Sequence, residues 1–233
     1  MKFEDINIIY EDNHLLVVVK PQNLPVCPDS SGNKSLLDLL KEYIIVKENK
    51  PGDAYLGLVH RLDRPTGGVM VFAKTSKAAS RLFETIKEQK FEKYYFAIVN
   101  GVPKQKKGIL KDALYKDINK NQVYCVPVAT EGAKLATLEY EVLDSISNFS
   151  LLKINLITGR PHQARVQLKK MGTPIFADAK YGKAQRGVDL ALWAYSLKFP
   201  HPVTKEIMYF IVYPPVDKIP WRMFDMNVHL AII

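Results

Sequence analysis

The sequence predicts an α+β protein: a single domain over residues 1–233 with a mixed, mainly antiparallel central sheet flanked by helices and loops. Three observations lead there. Short runs rich in β-branched and aromatic residues recur along the whole chain, separated by turn-forming residues. Only three segments carry apolar residues at helical spacing. These helices do not alternate regularly with the strands, which argues against a βαβ-built parallel sheet.

Taken in order, residues 8–10 and 15–19 read as short strands joined by the turn Glu11-Asp12-Asn13-His14. Pro21, Pro25 and Pro28 then make a loop. Ser35 can cap a helix over 36–46 whose apolar side is Leu36, Leu37, Leu39, Leu40, Tyr43 and Ile44. Residues 48–53, with Pro51-Gly52, form a connector. Apolar runs at 55–59 and 69–73 are strands on either side of a charged loop. Thr75 or Ser76 starts a second helix running to about 89, with Ala79, Leu82, Phe83 and Ile86 at helical spacing. Residues 91–99 are a strand. The Lys-rich stretch 101–121 is an extended loop or ribbon. Residues 123–128, 136–143 and 150–156 are further strands. Thr158-Gly159-Arg160-Pro161 opens a third helix with Pro in its first turn, ending at Gly172. Residues 173–189 are irregular, and 191–197 and 206–213 are two strands around the turn at 200–204.

Bulk properties narrow the function. The chain has 233 residues, enough for one large domain or two small ones, and its 47% hydrophobic content supports a substantial core. No apolar run reaches the roughly 18 residues of a membrane span. Met1-Lys2-Phe3-Glu4-Asp5 has no signal-peptide pattern, so a cytoplasmic location is expected. Cys27 and Cys125 sit in no Cys-x-x-Cys motif, so neither a disulfide framework nor a zinc site is expected. The net charge of +9 favours an anionic partner, most commonly nucleic acid. Two segments concentrate that charge: Lys104, Lys106, Lys107, Lys111, Lys116 and Lys120, then Arg160, His162, Arg165, Lys169 and Lys170. The plain account of either cluster is a solvated face.

The most informative stretch is His60-Arg61-Leu62-Asp63-Arg64-Pro65-Thr66-Gly67-Gly68. One carboxylate stands between two guanidinium groups on a sharply turning loop held by two strands. Such a loop keeps a reactive group fixed yet reachable. The competing account is a surface ion pair, worth about 0–1 kcal/mol. Asp63 is a candidate nucleophile or acid–base group. A carboxylate stays anionic even in a dry cleft if an arginine neighbours it. Arg165 is a better partner than Arg61 or Arg64, because it comes from another element. It follows Thr158-Gly159-Arg160-Pro161-His162-Gln163-Ala164 at a helix start, where free amides and the helix dipole favour anions. The alternative is an ordinary basic amphipathic helix with Arg165 solvated. Tyr94 and Tyr95 are adjacent in a strand and face opposite ways, so one ring packs in the core and the other can line a cleft. An aromatic beside a carboxylate and an arginine suits a flipped nucleobase.

These segments, in this order, resemble the RluA-type family of RNA pseudouridine synthases. The resemblance covers residue 6 to about 215. It comprises the opening stretch 8–25, the His60-to-Gly68 motif, Lys93-x-Tyr95-x-Ala97-x-Val99-x-Gly101, the stretch 158–168, and Phe199-Pro-His-Pro-Val-Thr-Lys-Glu206. It implies the catalytic-domain fold of that family and isomerisation of uridine to pseudouridine in ribosomal or transfer RNA, with no cofactor and no metal. By the same resemblance Asp63 is the catalytic carboxylate, and Tyr95, Arg165 and Arg61 bind substrate. Tyr95 stacks on the base, Arg165 pairs with Asp63, and Arg61 helps displace the flipped nucleotide. The chain departs from the family at Gly67, where Ser is frequent, and at Leu138, Ala164, Gln167 and Trp193, where Thr, Ile, His and His are common. The small N-terminal RNA-binding domain of many relatives is expected to be missing. RNA is the expected partner, a membrane is not, and a monomer is expected. The alternative from another class is a non-catalytic RNA-binding or ribosome-assembly factor with the same fold. Glycoside hydrolysis is poorer, since it needs a second nearby acid.

Overall fold

The computed structural model describes residues 1–29, 32–49 and 51–230. Its contacts divide the chain into two compact units, Met1–Glu92 with Ala194–Val212 and Lys93–Trp193 with Tyr213–Ile233. The α+β class with a mainly antiparallel sheet, read from the sequence, holds in both.

In the first unit, β1 (Asn7–Glu11) pairs antiparallel with β2 (Leu15–Lys20). Helix α1 (Leu36–Glu48) follows. Ser35 and Asp38 close a reciprocal cap at its start, and Leu36, Leu39, Leu40 and Ile44 are its buried face. Then β3 (Gly57–Leu58) and β2 both pair antiparallel with β4 (Gly67–Ala73), whose seven residues are all buried. Helix α2 (Ser76–Lys87) is capped by Thr75 Oγ1, which accepts from the Ala78 amide at 3.1 Å. Ala78, Ala79 and Leu82 of α2 pack into a core with Leu15, Val17, Val69, Val71, Phe91 and Phe199. The helix turns slightly away from the expected face. Ala78 is buried, while Phe83, expected inside, is 50% exposed.

In the second unit, β5 (Glu92–Asn100), β6 (Lys107–Asp117), β7 (Gln122–Val126), β8 (Lys134–Ile146) and β9 (Phe149–Leu156) form antiparallel pairs in the order β5-β9-β8-β6-β7. The Lys-rich stretch is thus a ribbon, with an eleven-residue strand at its centre. Helix α3 (Gln163–Lys170) packs on one face of it, where Leu114, Val123, Ala136, Val166 and Tyr181 cluster. The strands β10 (Leu192–Pro200) and β11 (Ile207–Ile211) pair antiparallel as the expected late hairpin, whose paired residues belong to the first unit. Helix α4 (Met226–Leu230) follows.

Helix α3 begins later than its sequence suggests. Pro161 lies in the preceding turn, and His162 takes a left-handed conformation (φ 53°) as the residue before the helix. The reason is tertiary. The buried Gln163 side chain accepts from Arg160 N (3.0 Å) and Thr158 Oγ1 (2.7 Å), and donates to Thr137 O (3.0 Å). These bonds hold residues 158–160 against β8 as a loop. No helix among the described residues is long and apolar enough to cross a membrane.

Candidate active site

Asp63 lies in the loop between β3 and β4 of the first unit. Its carbonyl accepts from the Thr66 amide at 3.0 Å, which closes a tight turn around Arg64-Pro65. This turn is anchored from beneath by Lys20. The last residue of β2 is fully buried, and its Nζ donates to Thr66 O (2.7 Å), Pro21 O (2.8 Å) and Arg64 O (3.0 Å). An ammonium has three donors, and all three are used. Burial pushes Lys20 down to about 7, the Asp63 carboxylate pulls it up, and the Arg64 charge pushes it down. Lys20 is therefore both the scaffold of the Asp63 turn and a charge that Asp63 feels.

The two arginines beside Asp63 have different fates. Arg64 Nε donates to Asn23 O and its Nη1 to Asp29 Oδ2, both at 3.1 Å, so it ties the proline loop to the turn. Arg61 is exposed and makes no ion pair among the described residues. His60 is structural. Its Nε2 accepts from the Val71 amide at 3.1 Å, and its ring leans on Phe91. Gly68 allows β4 to begin. Its φ is +125°, and a Cβ there would lie 2.1 Å from Ala194 O.

Tyr95 and Arg165 stand in the second unit. Tyr95 is the buried ring of the tyrosine pair, opposite Ile154 in β9, while Tyr94 is half-buried with Lys153 Nζ over its ring at 5.4 Å. Lys93, on the same side of β5 as Tyr95, is driven down by burial. Arg165 is buried, not solvated. Its Nε and Nη2 each donate to one oxygen of Asp178 at 2.8 Å, a bidentate pair. Asp178 is fully buried, and its Oδ1 also accepts from Lys180 N (2.9 Å) and Tyr181 N (3.0 Å). Burial pushes the Asp178 carboxyl up. The Arg165 hydrogen bonds and charge, with those two amides, outweigh it and leave the carboxyl below its usual value.

A third layer steadies the guanidinium. Arg165 sits over the Tyr181 ring at 5.1 Å. Tyr181 Oη accepts from Val123 N at 2.8 Å and meets His162 Nδ1 at 2.6 Å. Asp12 and His201 form a separate contact in the first unit, holding the β1–β2 turn to the β10–β11 turn at 2.9 Å.

Lys20, Asp178 and Tyr181 carry no assigned role in the sequence reading. Lys20 had a signal: a lysine ending the all-apolar run 15–19, just before Pro21, must find acceptors if the strand is buried. Asp178 had one too, since Asp-Ala-Lys-Tyr-Gly in an irregular segment is an Asp that can accept its own downstream amides. Among the described residues no group of three or more His, Cys, Asp or Glu is placed to hold a metal ion.

The family described as RNA pseudouridylate synthase matches residues 14–170, a span that includes Asp63, Tyr95 and Arg165. Ribosomal large subunit pseudouridine synthase C of Buchnera aphidicola subsp. Baizongia pistaciae (strain Bp) is 34% identical over 220 residues, covering 90% of this chain and 67% of the relative. An uncharacterized RNA pseudouridine synthase of Aquifex aeolicus (strain VF5) is 36% identical over 225 residues, covering 90% of this chain and 70% of the relative. The chain thus spans about two thirds of the length of these curated relatives. Among solved structures, human RNA Pseudouridylate Synthase Domain Containing 4 superposes with a TM-score of 0.75 at 26% identity, covering 96% of this chain and 92% of that one. On the breadth of the family match and these identities, the chain belongs to the RNA pseudouridylate synthase family.

Proposed function

We propose that this chain converts uridine to pseudouridine in RNA, with Asp63 as the catalytic carboxylate. The observation that carries this reading is the family match over residues 14–170, a span that holds Asp63, Tyr95 and Arg165. Large-subunit ribosomal RNA is the first candidate substrate, because the curated relatives bear that name. Transfer RNA is the second.

In this reading the target uridine leaves its stack, at a cost of a few kcal/mol. Tyr95 stacks on the base, Arg61 fills or widens the space it vacates, and Arg165 serves as the guanidinium partner of Asp63. The N1–C1′ bond breaks, the uracil turns, and a C1′–C5 bond forms. The proton on C5 is lost and N1 gains one, so the product is an isomer and nothing is released. Asp63 either attacks C1′ or removes a ribose proton to give a glycal. No cofactor is needed for either route. Exposure of Arg61 and a turn at Asp63 braced by Lys20 support the roles given to those two residues.

Pseudouridine mapping of total RNA from cells with and without the gene identifies the substrate. On that RNA, Asp63→Asn is expected to abolish pseudouridine formation, at least 10³-fold on the order-of-magnitude scale of a lost catalytic group, while RNA affinity stays within about twofold. Normal turnover by Asp63→Asn refutes the carboxylate's role. Missing sites restored equally by wild type and Asp63→Asn point to a non-catalytic assembly factor instead.

A further inference from the structure

Asp178 lies outside the matched span 14–170, yet the segment that carries it is tied to the strand of Tyr95. Residues 174–176 run along β5. Pro174 O accepts from Asn100 N at 2.9 Å, Phe176 N donates to Ile98 O at 2.8 Å, and Ile175 bridges antiparallel to Val99. Ala177 then turns the chain in a left-handed conformation, φ 58°. A non-glycine residue persists there only where its surroundings impose it. Asp178 closes the turn. Its amide donates to Ile175 O (3.3 Å), and its carbonyl accepts from Gly182 N (2.9 Å). The carboxylate is thereby mounted on the strand that carries Tyr95.

From this mount Asp178 does two things to Arg165. It fixes direction. Nε and Nη2 form one edge of the planar guanidinium, and each donates to its own Asp178 oxygen at 2.8 Å. The Tyr181 ring packs against the guanidinium at 5.1 Å, so the plane cannot swing to that side. That ring is itself held at its hydroxyl by Val123 N and His162 Nδ1. Asp178 also answers the charge. Arg165 is 5% exposed and Asp178 fully buried, so either charge alone would lack solvation. A buried ion pair adds little net stability over apolar residues of the same volume. What a bidentate pair does supply is a single orientation, with the Nη1 corner on the side away from Asp178.

We infer that Asp178 is the positioning residue of Arg165, holding the guanidinium in register with Tyr95 of β5 so that it meets the reacting nucleotide in one orientation. The inference rests on the role given to Arg165 under the proposed function. Arg165 is then aimed before RNA binds, and its aim does not depend on the charge of Asp63.

The test measures pseudouridine formation by the full chain on the RNA identified by mapping, with melting curves beside it. Asp178→Asn keeps the shape of the side chain and removes its charge and one acceptor. It is expected to lower kcat on the order of 10²-fold, as a misplaced group does, and to leave KM within about twofold. Wild-type kcat in folded Asp178→Asn overturns the inference. Arg165→Ala opens the guanidinium seat. Guanidinium chloride far below denaturing concentration then probes it, against sodium chloride of equal ionic strength. Guanidinium is expected to raise the melting midpoint of Arg165→Ala and to restore part of its kcat. It should do neither in wild type or in Arg165→Ala/Asp178→Asn. No rise in the Arg165→Ala midpoint overturns the inference, and this arm decides if Asp178→Asn does not fold. Wild-type kcat in Arg165→Ala overturns instead the role given to Arg165 in the reaction, which separates that failure from a failure of Asp178 to position it.

Discussion

Two buried charges brace the candidate residues, Lys20 in the first unit and Asp178 in the second, and each meets several hydrogen-bond partners. Asp178 answers Arg165 with two oxygens, and Lys20 answers three carbonyls with three N–H donors. Removing one member strands the rest, which costs far more than the pair itself contributes. Lys20→Met leaves the carbonyls of Pro21, Arg64 and Thr66 without their donor, so it should destabilise by about 2–5 kcal/mol at neutral pH. The pH dependence has a definite sign. Burial lowers Lys20 to about 7 in the folded chain from an ordinary value of 10.5, so between those values the unfolded chain binds the extra proton. Stability contributed by Lys20 therefore rises with pH across that window and is flat below it. Urea denaturation of wild type and Lys20→Met at a series of pH values reads this directly. The gap between them should widen from pH 7 upward. A gap that stays constant means that Asp63 and the three carbonyls hold Lys20 at its ordinary basicity.

Elements whose causes are local could be read from the sequence. The Ser35 and Thr75 caps, the hairpin β1–β2 and the all-buried β4 each follow from residues within one or two turns of themselves. Elements decided by distant partners could not. Gln163 ties the Thr158–Arg160 stretch to β8 and delays α3, and Ala78 takes the core position expected of Phe83. The same division runs through the candidate site. The Asp63 loop was visible as a motif, whereas its support by Lys20, 43 positions upstream in sequence, and the clamp of Arg165 by Asp178 across an irregular segment leave only faint local signals. Gly68 shows how strictly an element boundary can be set by a neighbour. A methyl there meets backbone of Ala194 at 2.1 Å and must also adopt φ +125°. Gly68→Ala should therefore cost roughly 3 kcal/mol or more. Gly187, with φ +73° and no heavy atom within 4 Å of an added Cβ, is the matched control and should cost about 1 kcal/mol as alanine. Comparable midpoints for the two variants in denaturation would mean that β4 and β10 move apart easily.

At the scale of the molecule, a net charge of +9 does not by itself say where an anion binds. The ion pairs sort the lysines into two populations. Lys34 and Lys41 are already answered by Glu42 and Asp53, at 2.6 and 2.9 Å, and Lys74 by Glu11 and Glu48. Lys104, Lys106, Lys111 and Lys116, all on one segment, have no such partner among the described residues. Only lysines of the second kind can exchange bound counterions for phosphates without first breaking an ion pair. Salt dependence separates the two. Each phosphate contact to single-stranded RNA contributes about 0.7 to the slope of log K against log salt. Changing the four ribbon lysines to glutamine should therefore flatten the slope measured with a labelled, unstructured oligoadenylate by about 3. Changing Lys34 and Lys41 alters net charge by the same amount per residue and should leave the slope unchanged. If Lys34→Gln/Lys41→Gln flattens the slope as much per lysine as the ribbon variant, binding follows bulk charge and the ribbon has no privileged place in it.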